Sequence, residues 1–270
     1  MRPRLHLPPL LAATLLLGCG AAERPPDLIL ITVDTLRADA LTAEDTPRLA
    51  ELIDSGARFT HATTPLPRTT PAVASLMTGL WPHHHGSREV GDPLLAGTTL
   101  AEVLAEHGYA TLAASANAAA NPAQNLDRGF ARFVGHEELV ARYGEHVTAY
   151  AVDVPEGAPT PAEALTAEAL ALVDEVPEDR PLFLWLLYLD PHMLYYPRQV
   201  WHRGLAGDDC LELYAHYLEH TGDAGQVFSN VGGVAERALP DCRALYRAEV
   251  AAVDQAVGRL LDGLGRRGRL

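Results

Sequence analysis

The chain has 270 residues and a formal net charge of −14, with 48% hydrophobic and 21% charged residues. This composition is typical of a globular protein with a substantial core and excludes a wholly disordered chain. The acidic balance argues against a protein that binds nucleic acid by neutralising its phosphates.

The first twenty residues have the layout of an export signal. Arg2 and Arg4 precede an apolar stretch that runs to Leu17 and is followed by Cys19. This stretch is short for a membrane span and has the proportions of a signal peptide. The letters "LLGC" resemble the lipobox of bacterial lipoproteins, which implies cleavage before Cys19 and lipidation of its thiol. The alternative is an ordinary signal peptide whose cysteine is incidental.

These features predict how the chain is divided. We expect a lipoprotein signal peptide over residues 1–18, a tether over 19–26 and one folded domain over 27–270. Residues 198–241 are rich in glycine, aspartate and histidine and predict an insertion in that domain. A lipidated Cys19 would hold the exported protein on the bacterial cell envelope, on its periplasmic side or at the cell surface.

Apolar runs and helical segments alternate along the folded part. In chain order we predict a strand in "DLILITVD", helices in "TPRLAELIDSGARF", "TPAVASLMTGL" and "TTLAEVLAEHGY", a strand in "ATLAASAN", a helix in "TPAEALTAEALALVDEV", a strand in "PLFLWLLYLD" and a closing helix from Cys242. Strands that alternate with helices in this way favour an α/β layered fold with a mostly parallel sheet.

Two aspartates end predicted strands, where ligands collect in such folds. Asp34 follows the first strand, and Asp39 lies five residues further, with Arg37 between them. Carboxylate oxygens there suit Ca²⁺ or Mg²⁺, although an aspartate in this place also caps helices. Asp190 ends the last strand and precedes His192, which could donate a proton or contact an oxyanion.

A threonine precedes a predicted helix start in "RTTPAVASLMTG". The backbone N–H groups at such a start favour an anion, so Thr69 is a candidate nucleophile if a metal activates it. A plain helix cap is the alternative. The nearby "HHHG" at residues 83–86 suggests a metal tract, but consecutive side chains cannot all face one ion in regular structure.

Two cysteines remain after Cys19. Cys210 and Cys242 lie in a polar segment, and in an oxidising compartment a disulfide between them is one reading, with two free thiols as the other.

In order and spacing, the segments "PDLILITVDTLRAD", "TPRLAELIDSGARFTHA", "TTPAVASLMTGLWPHHHG", "TTLAEVLAEHGYAT", "LDRGFARF" and "FLWLLYLDPH" together resemble the sulfatase family of the alkaline-phosphatase-like superfamily. The resemblance implies an α/β sandwich on a large, mostly parallel mixed sheet. It also implies hydrolysis of a sulfate ester through a nucleophile and a divalent cation, most often Ca²⁺, with Mg²⁺, Mn²⁺ or Zn²⁺ as alternatives.

The resemblance assigns roles to four positions. It implies that Asp34 and Thr69 are metal ligands, that Thr69 is the nucleophile, and that His192 contacts the sulfate and assists catalysis. Asn117 is the polar residue left in the segment where many sulfatases carry a lysine and a histidine, so it is the candidate for substrate binding. The substrate would be a small-molecule or glycan ester, and no nucleic acid is expected.

Several positions depart from the family pattern. Thr69 replaces the cysteine or serine that becomes formylglycine, and threonine has no route to that group, although it can still attack as an alkoxide. Val73 replaces a supporting arginine, and Thr35 replaces a second aspartate. These departures leave open hydrolysis of phosphate mono- or diesters, or a non-catalytic binding protein on the same scaffold. The family's Ser-Asp-His-Gly motif would follow Leu270, so we expect this chain to be the N-terminal part of the domain and to be inactive alone.

Overall fold

The computed structural model describes residues 24–148, 157–193 and 232–270, together with residues 155, 195, 209, 210, 212 and 213. These residues form a sheet whose strands are β1 (Leu28–Val33), β2 (Ala110–Ser115), β3 (Arg132–Val134) and β4 (Leu182–Tyr188). The strands lie in the order β1-β4-β2-β3, and every pair is parallel. The predicted α/β class and parallel sheet are therefore confirmed.

The central strand is β4, which pairs with both β1 and β2. Its sequence LFLWLLY is apolar without alternation, and all seven residues are buried. A strand covered on both faces needs apolar side chains on both, which explains this composition. The large side chain of Trp185 is fully buried and stands opposite Leu30 of β1 and Ala113 of β2.

Seven α-helices accompany the sheet among the described residues: α1 (Pro47–Ser55), α2 (Thr69–Thr78), α3 (Pro82–His85), α4 (Leu100–Glu106), α5 (His136–Tyr143), α6 (Pro161–Asp174) and α7 (Gly232–Arg266). Short 3₁₀ turns lie at Ala38–Ala40, Pro122–Gln124 and Glu145–Val147. None of the helices in the described part is long and apolar enough to cross a membrane.

The helices cover the sheet in two layers, because successive strand residues point to opposite faces. Leu184 and Leu186 of β4 belong to an apolar cluster with residues of α5, α6 and α7. Phe183, Trp185 and Leu187 belong to a second cluster with residues of α2 and α4. The sheet is thus the middle layer of a sandwich, with α2 packed on one face and the long helices on the other.

Some boundaries differ from the sequence prediction. Helix α2 begins at Thr69, one residue before the expected start, and α7 begins at Gly232, ten residues before Cys242. Pro240 lies inside α7, and a proline at such a position is normally a helix boundary, so the pattern concealed the longer helix. The predicted insertion at 198–241 lies mostly outside the described residues, as do the signal peptide and Cys19.

A disulfide joins Cys210 to Cys242, with 5.1 Å between the Cα atoms. Cys210 is fully buried and packs against Leu245 of α7. Of the two alternatives that the sequence left open for this pair, the structure has the disulfide rather than free thiols. The bond attaches the short described segment around Cys210 to helix α7.

Candidate functional site

The site is built on Asp34 and Thr69, which meet although they are 35 positions apart. Asp34 directly follows β1, and its backbone N–H donates to the carbonyl of Tyr188 at the end of β4. Thr69 is the first residue of α2, and its hydroxyl Oγ1 donates to Oδ2 of Asp34 at 3.1 Å. The strand end and the helix start therefore place a hydroxyl against a partly exposed carboxylate.

Asn117 completes this contact from the other side of β4. It lies two residues beyond β2, and its amide Nδ2 donates to the same Oδ2 of Asp34 at 2.5 Å. Its Oδ1 accepts from the backbone N–H of Ala119 at 2.7 Å, which fixes the orientation of the amide. The structure thus brings together three of the four predicted site residues.

A closed circuit of hydrogen bonds fixes the side chains of Asp34, Thr69 and Asn117 relative to one another. Thr70 is fully buried, and its hydroxyl donates to the carbonyl of Ala119 at 2.7 Å and accepts from the N–H of Gly91 at 2.9 Å. The circuit runs from Thr70 through Ala119 and Asn117 to Asp34, and returns through Thr69. Each hydrogen-bonding group in it has its partner, which favours one fixed arrangement.

Thr35 has a backbone conformation that is unusual for its type. Its φ is +54°, in the left-handed region that β-branched residues rarely adopt. Its hydroxyl donates to the carbonyl of Pro191 at 3.0 Å, and its own carbonyl accepts from the hydroxyl of Tyr246 at 3.0 Å. Such strain is held by surrounding contacts and is frequent at functional sites.

His192 joins the site only indirectly. Its ring Nδ1 bonds to the carbonyl of Met193 at 2.6 Å, so Nδ1 carries a proton and Nε2 is the atom available to a ligand. The hydrogen bond from Thr35 to the carbonyl of Pro191 links the His192 segment to the loop that carries Asp34.

Two other aspartates considered from sequence have different partners. Asp39 is exposed and forms a two-bond ion pair with Arg37, at 2.8 and 2.6 Å. The pKa of Asp39 is lowered, first by that hydrogen bond from Arg37. Asp190 accepts a hydrogen bond from the backbone N–H of Ala162 in the first turn of α6. This contact agrees with the alternative that an aspartate after a strand caps a helix.

The first turn of α2 offers backbone donors but no cation. The N–H groups of Thr69 and Thr70 precede the first intrahelical bond, which Ala72 makes to Arg68, and Pro71 has no N–H. Val73, at the position of the family's arginine, is 6% exposed and packs into the apolar cluster under the helix. A bound anion would therefore meet helix N–H groups rather than a guanidinium from this position.

The three consecutive histidines, His83 to His85, make packing and hydrogen-bond contacts. His83 and His84 are exposed and their rings contact each other, with 4.0 Å between centroids. His85 is fully buried; its Nε2 lies 2.9 Å from Oγ of Ser75, and its Nδ1 accepts from the N–H of Ser87 at 3.2 Å. Burial lowers the pKa of His85. This histidine links α3 to α2.

The oxygen atoms of the site fit the predicted metal in part. Asp34 and Thr69 supply a carboxylate and a hydroxyl, the oxygen ligands that hard divalent cations prefer. No cluster of three histidine, cysteine, aspartate or glutamate side chains occurs in the described part of the chain. The residues present therefore fit two ligand positions of such an ion.

Comparison with known proteins gives the family. A family model described as Sulfatase matches residues 26–270. The chain belongs to the sulfatase family. Arylsulfatase A of Bos taurus is 39% identical to it over 112 residues, which cover 36% of this chain and 22% of that protein.

Solved structures agree on the fold of this sulfatase-family chain. The phosphonate monoester hydrolase of Agrobacterium radiobacter superposes with a TM-score of 0.68 at 20% identity, covering 91% of this chain and 60% of that one. A protein solved in complex with its substrate D-glucosamine-2-N,6-O-disulfate has a TM-score of 0.60 at 17% identity, covering 91% and 63%. The chain thus spans less than two thirds of the length of the relatives and neighbours it matches here.

Sequence reasoning missed the residues that position the site. Thr70, Ala119 and Tyr246 carry the hydrogen bonds that support Asn117, Thr69 and Thr35. Nothing in the sequence pairs Thr70 with Ala119 or Tyr246 with Thr35, since these residues lie 49 and 211 positions apart. The adjacent threonines before Pro71 were the only local signal.

Proposed function

We propose that the protein is a sulfatase-like hydrolase that cleaves a sulfate ester with the Thr69 hydroxyl and a divalent cation, most often Ca²⁺ in this family. The observation that carries the proposal is the 3.1 Å hydrogen bond from Thr69 Oγ1 to Asp34 Oδ2 at the start of α2. An attacking hydroxyl must lose its proton, and a carboxylate that accepts its hydrogen bond can take that proton.

In the first step Thr69 Oγ1 attacks the sulfur of the ester. A bond forms between Oγ1 and sulfur, the bond from sulfur to the ester oxygen breaks, and the hydroxyl proton moves to Asp34. In this step His192 acts as an imidazolium: the Nε2–H proton moves to the departing alcohol oxygen, and Nδ1 keeps the proton that it donates to Met193. The N–H groups at the start of α2 and the second N–H of Asn117 donate hydrogen bonds to the sulfate oxygens and stabilise their negative charge.

In the second step water releases the sulfate from Thr69. Water attacks the sulfur, the Oγ1–sulfur bond breaks, Asp34 returns its proton to Oγ1, and His192 takes a proton from the water. This hydrolysis replaces the elimination that a formylglycine would allow, because threonine keeps a single oxygen on Cβ.

A divalent cation held by Asp34 and Thr69 would lower the cost of deprotonating the hydroxyl and would neutralise charge on the sulfate. Asp34 has a second oxygen, Oδ1, available to it while Oδ2 receives Thr69 and Asn117. Ester oxygens, water or other residues would complete the coordination.

A phosphonate monoester or phosphate diester is the second candidate substrate. The fold neighbour from Agrobacterium radiobacter is a phosphonate monoester hydrolase. These esters carry one negative charge, as sulfate monoesters do, whereas phosphate monoesters carry close to two. With Val73 in place of an arginine, the described site offers little positive charge, so singly charged esters suit it better than phosphate monoesters.

A substrate panel tests the proposal on the intact gene product, since the matched relatives are longer. Rates are compared for 4-nitrophenyl sulfate, phenylphosphonate 4-nitrophenyl ester, bis(4-nitrophenyl) phosphate and 4-nitrophenyl phosphate, with added Ca²⁺, Mg²⁺ or Mn²⁺ and with chelator. We expect the sulfate to give the highest kcat/KM and the phosphate monoester the lowest, with loss of activity in chelator. A higher kcat/KM for the phosphonate would select the second candidate, and no turnover of any ester would leave the non-catalytic binding protein.

A further inference from the structure

A pocket of about 520 Å³ lies between the loop after β1 and the first half of α7. Arg37 and Asp39 come from the loop, and Arg243 and Arg247 come from successive turns of the helix. The volume is within the range of pockets that bind small molecules or single sugar units, roughly 300–1,000 Å³.

The pocket is positively charged in an acidic protein. Three arginines and one aspartate among its lining residues give a formal charge of +2, whereas the chain carries −14. Arg37 pairs with Asp39, and Arg247 pairs with Asp45 at 2.8 Å. Arg243 is exposed and forms no ion pair with any residue that the structure describes. A ligand anion would supply the partner of Arg243.

Apolar and aromatic groups form the rest of the wall. Tyr195 and Tyr246 meet edge to face, with 5.3 Å between ring centroids. Leu239 contributes an aliphatic side chain that is 48% exposed. Tyrosine faces beside guanidinium groups suit a ring that carries sulfate or carboxylate substituents, because the ring packs on the apolar wall while arginine binds the anion.

The pocket is connected to the candidate site by Tyr246. Its hydroxyl accepts from the backbone N–H of Arg37 at 2.8 Å and donates to the carbonyl of Thr35 at 3.0 Å. One side chain of the pocket wall therefore holds the residue that follows Asp34.

We propose that this arginine pocket is a subsite for a sulfated or carboxylated sugar unit of a glycan, next to the ester that Thr69 cleaves. Only the statement that this glycan is the substrate rests on the proposed function; binding in the pocket does not. Arg243 and Arg247 bind the anionic groups, and Tyr195 and Tyr246 pack against the sugar ring.

Equilibrium binding of a heparin tetrasaccharide to the intact protein, measured by calorimetry, tests the subsite. The double variant Arg243→Ala/Arg247→Ala is compared with Arg259→Ala/Arg266→Ala, which removes the same charge from the same helix outside the pocket. We expect Kd to rise at least fivefold in the first variant and less than twofold in the second. Uncharged maltotetraose should not bind detectably.

Two results would overturn the subsite: equal weakening in both double variants, which shows attraction by overall charge alone, or no weakening in either. If the pocket variant loses binding while the wild-type protein hydrolyses no ester, the subsite stands and the proposed hydrolysis fails.

Discussion

The position of the Thr69 hydroxyl depends on a neighbour that does not touch Asp34. The buried hydroxyl of Thr70 ties the start of α2 to Ala119, and the amide of Asn117 is fixed by the N–H of that same residue. A change at Thr70 therefore alters how Asn117 and Thr69 meet on the carboxylate. We therefore propose that Thr70 is a positioning residue.

We expect Thr70→Val to lower kcat about tenfold or more with little change in KM. Valine keeps the shape of threonine but leaves the carbonyl of Ala119 and the N–H of Gly91 without their partner, which costs roughly 1–3 kcal/mol if both remain buried. The measurement is kcat and KM on the best ester of the panel, with the unfolding midpoint as a check on folding.

Thr70→Ser is the matched control, because it restores the hydroxyl without the methyl group. It should recover most of the lost kcat. A Thr70→Val protein that is less stable but has wild-type kcat would show a purely structural role and contradict the positioning role.

Because His85 is buried, we expect the stability of the folded protein to depend on pH. Burial lowers the pKa of His85 below its usual value of 6.5, so the unfolded chain takes up this proton more readily than the folded protein. The stability from neutral His85 is therefore fully present above pH 6.5 and is lost as the pH falls below it.

Urea unfolding between pH 7.5 and 5 measures this effect. The free energy of unfolding should fall less steeply with decreasing pH in His85→Gln than in the wild-type protein. His84→Gln is the control, since that ring is exposed, and its slope should match the wild type. Identical slopes in all three proteins would show that His85 does not contribute.

The sequence predicted which polar residues lie at the candidate site, but it did not predict the hydrogen bonds that join them. Asp34, Thr69 and Asn117 stand out because each follows or begins a recognisable element or falls in a family motif, and the structure joins all three. The circuit through Thr70 and Ala119 could not be predicted, because it depends on how the start of α2 packs against the loop after β2, 49 positions away in the chain.

At the scale of elements, strong local patterns determined what the sequence could predict. The runs that form β1, β2 and β4 are mainly apolar and lead into polar residues, and α6 has a threonine cap followed by proline. By contrast, β3 has only three residues and takes its place by pairing with β2, a tertiary contact that leaves no periodic signal.

The disulfide between Cys210 and Cys242 should stabilise the attachment of its segment to α7. Closing a loop of sequence separation 32 is worth about 3–4 kcal/mol in the chain-entropy model. We expect the free energy of unfolding, measured in urea, to fall by about this amount in Cys210→Ser/Cys242→Ser, and reductant to have no further effect on that variant. An unfolding midpoint equal to that of the oxidised wild type would contradict a stabilising bond.

For the whole molecule, export and anchoring remain proposals from the first twenty residues. Expressed in a bacterial host, the protein is expected in the membrane fraction, held by lipid on Cys19. Cys19→Ala should move it to the soluble fraction or leave its precursor uncleaved, which fractionation and labelling with a radioactive fatty acid detect. A wild-type protein that carries no label and is found in the soluble fraction would favour the ordinary signal peptide.

The central claim is that one hydroxyl, positioned by Asp34 and Asn117 at the start of α2, does the chemistry of this sulfatase-family protein. The most direct measurement is kcat/KM of Thr69→Val and Thr69→Ser against the wild-type protein on the best ester of the panel. We predict a loss of at least about a thousandfold for valine, which removes the nucleophile, and a smaller loss for serine, which keeps it. Activity of Thr69→Val within tenfold of the wild type would contradict the account.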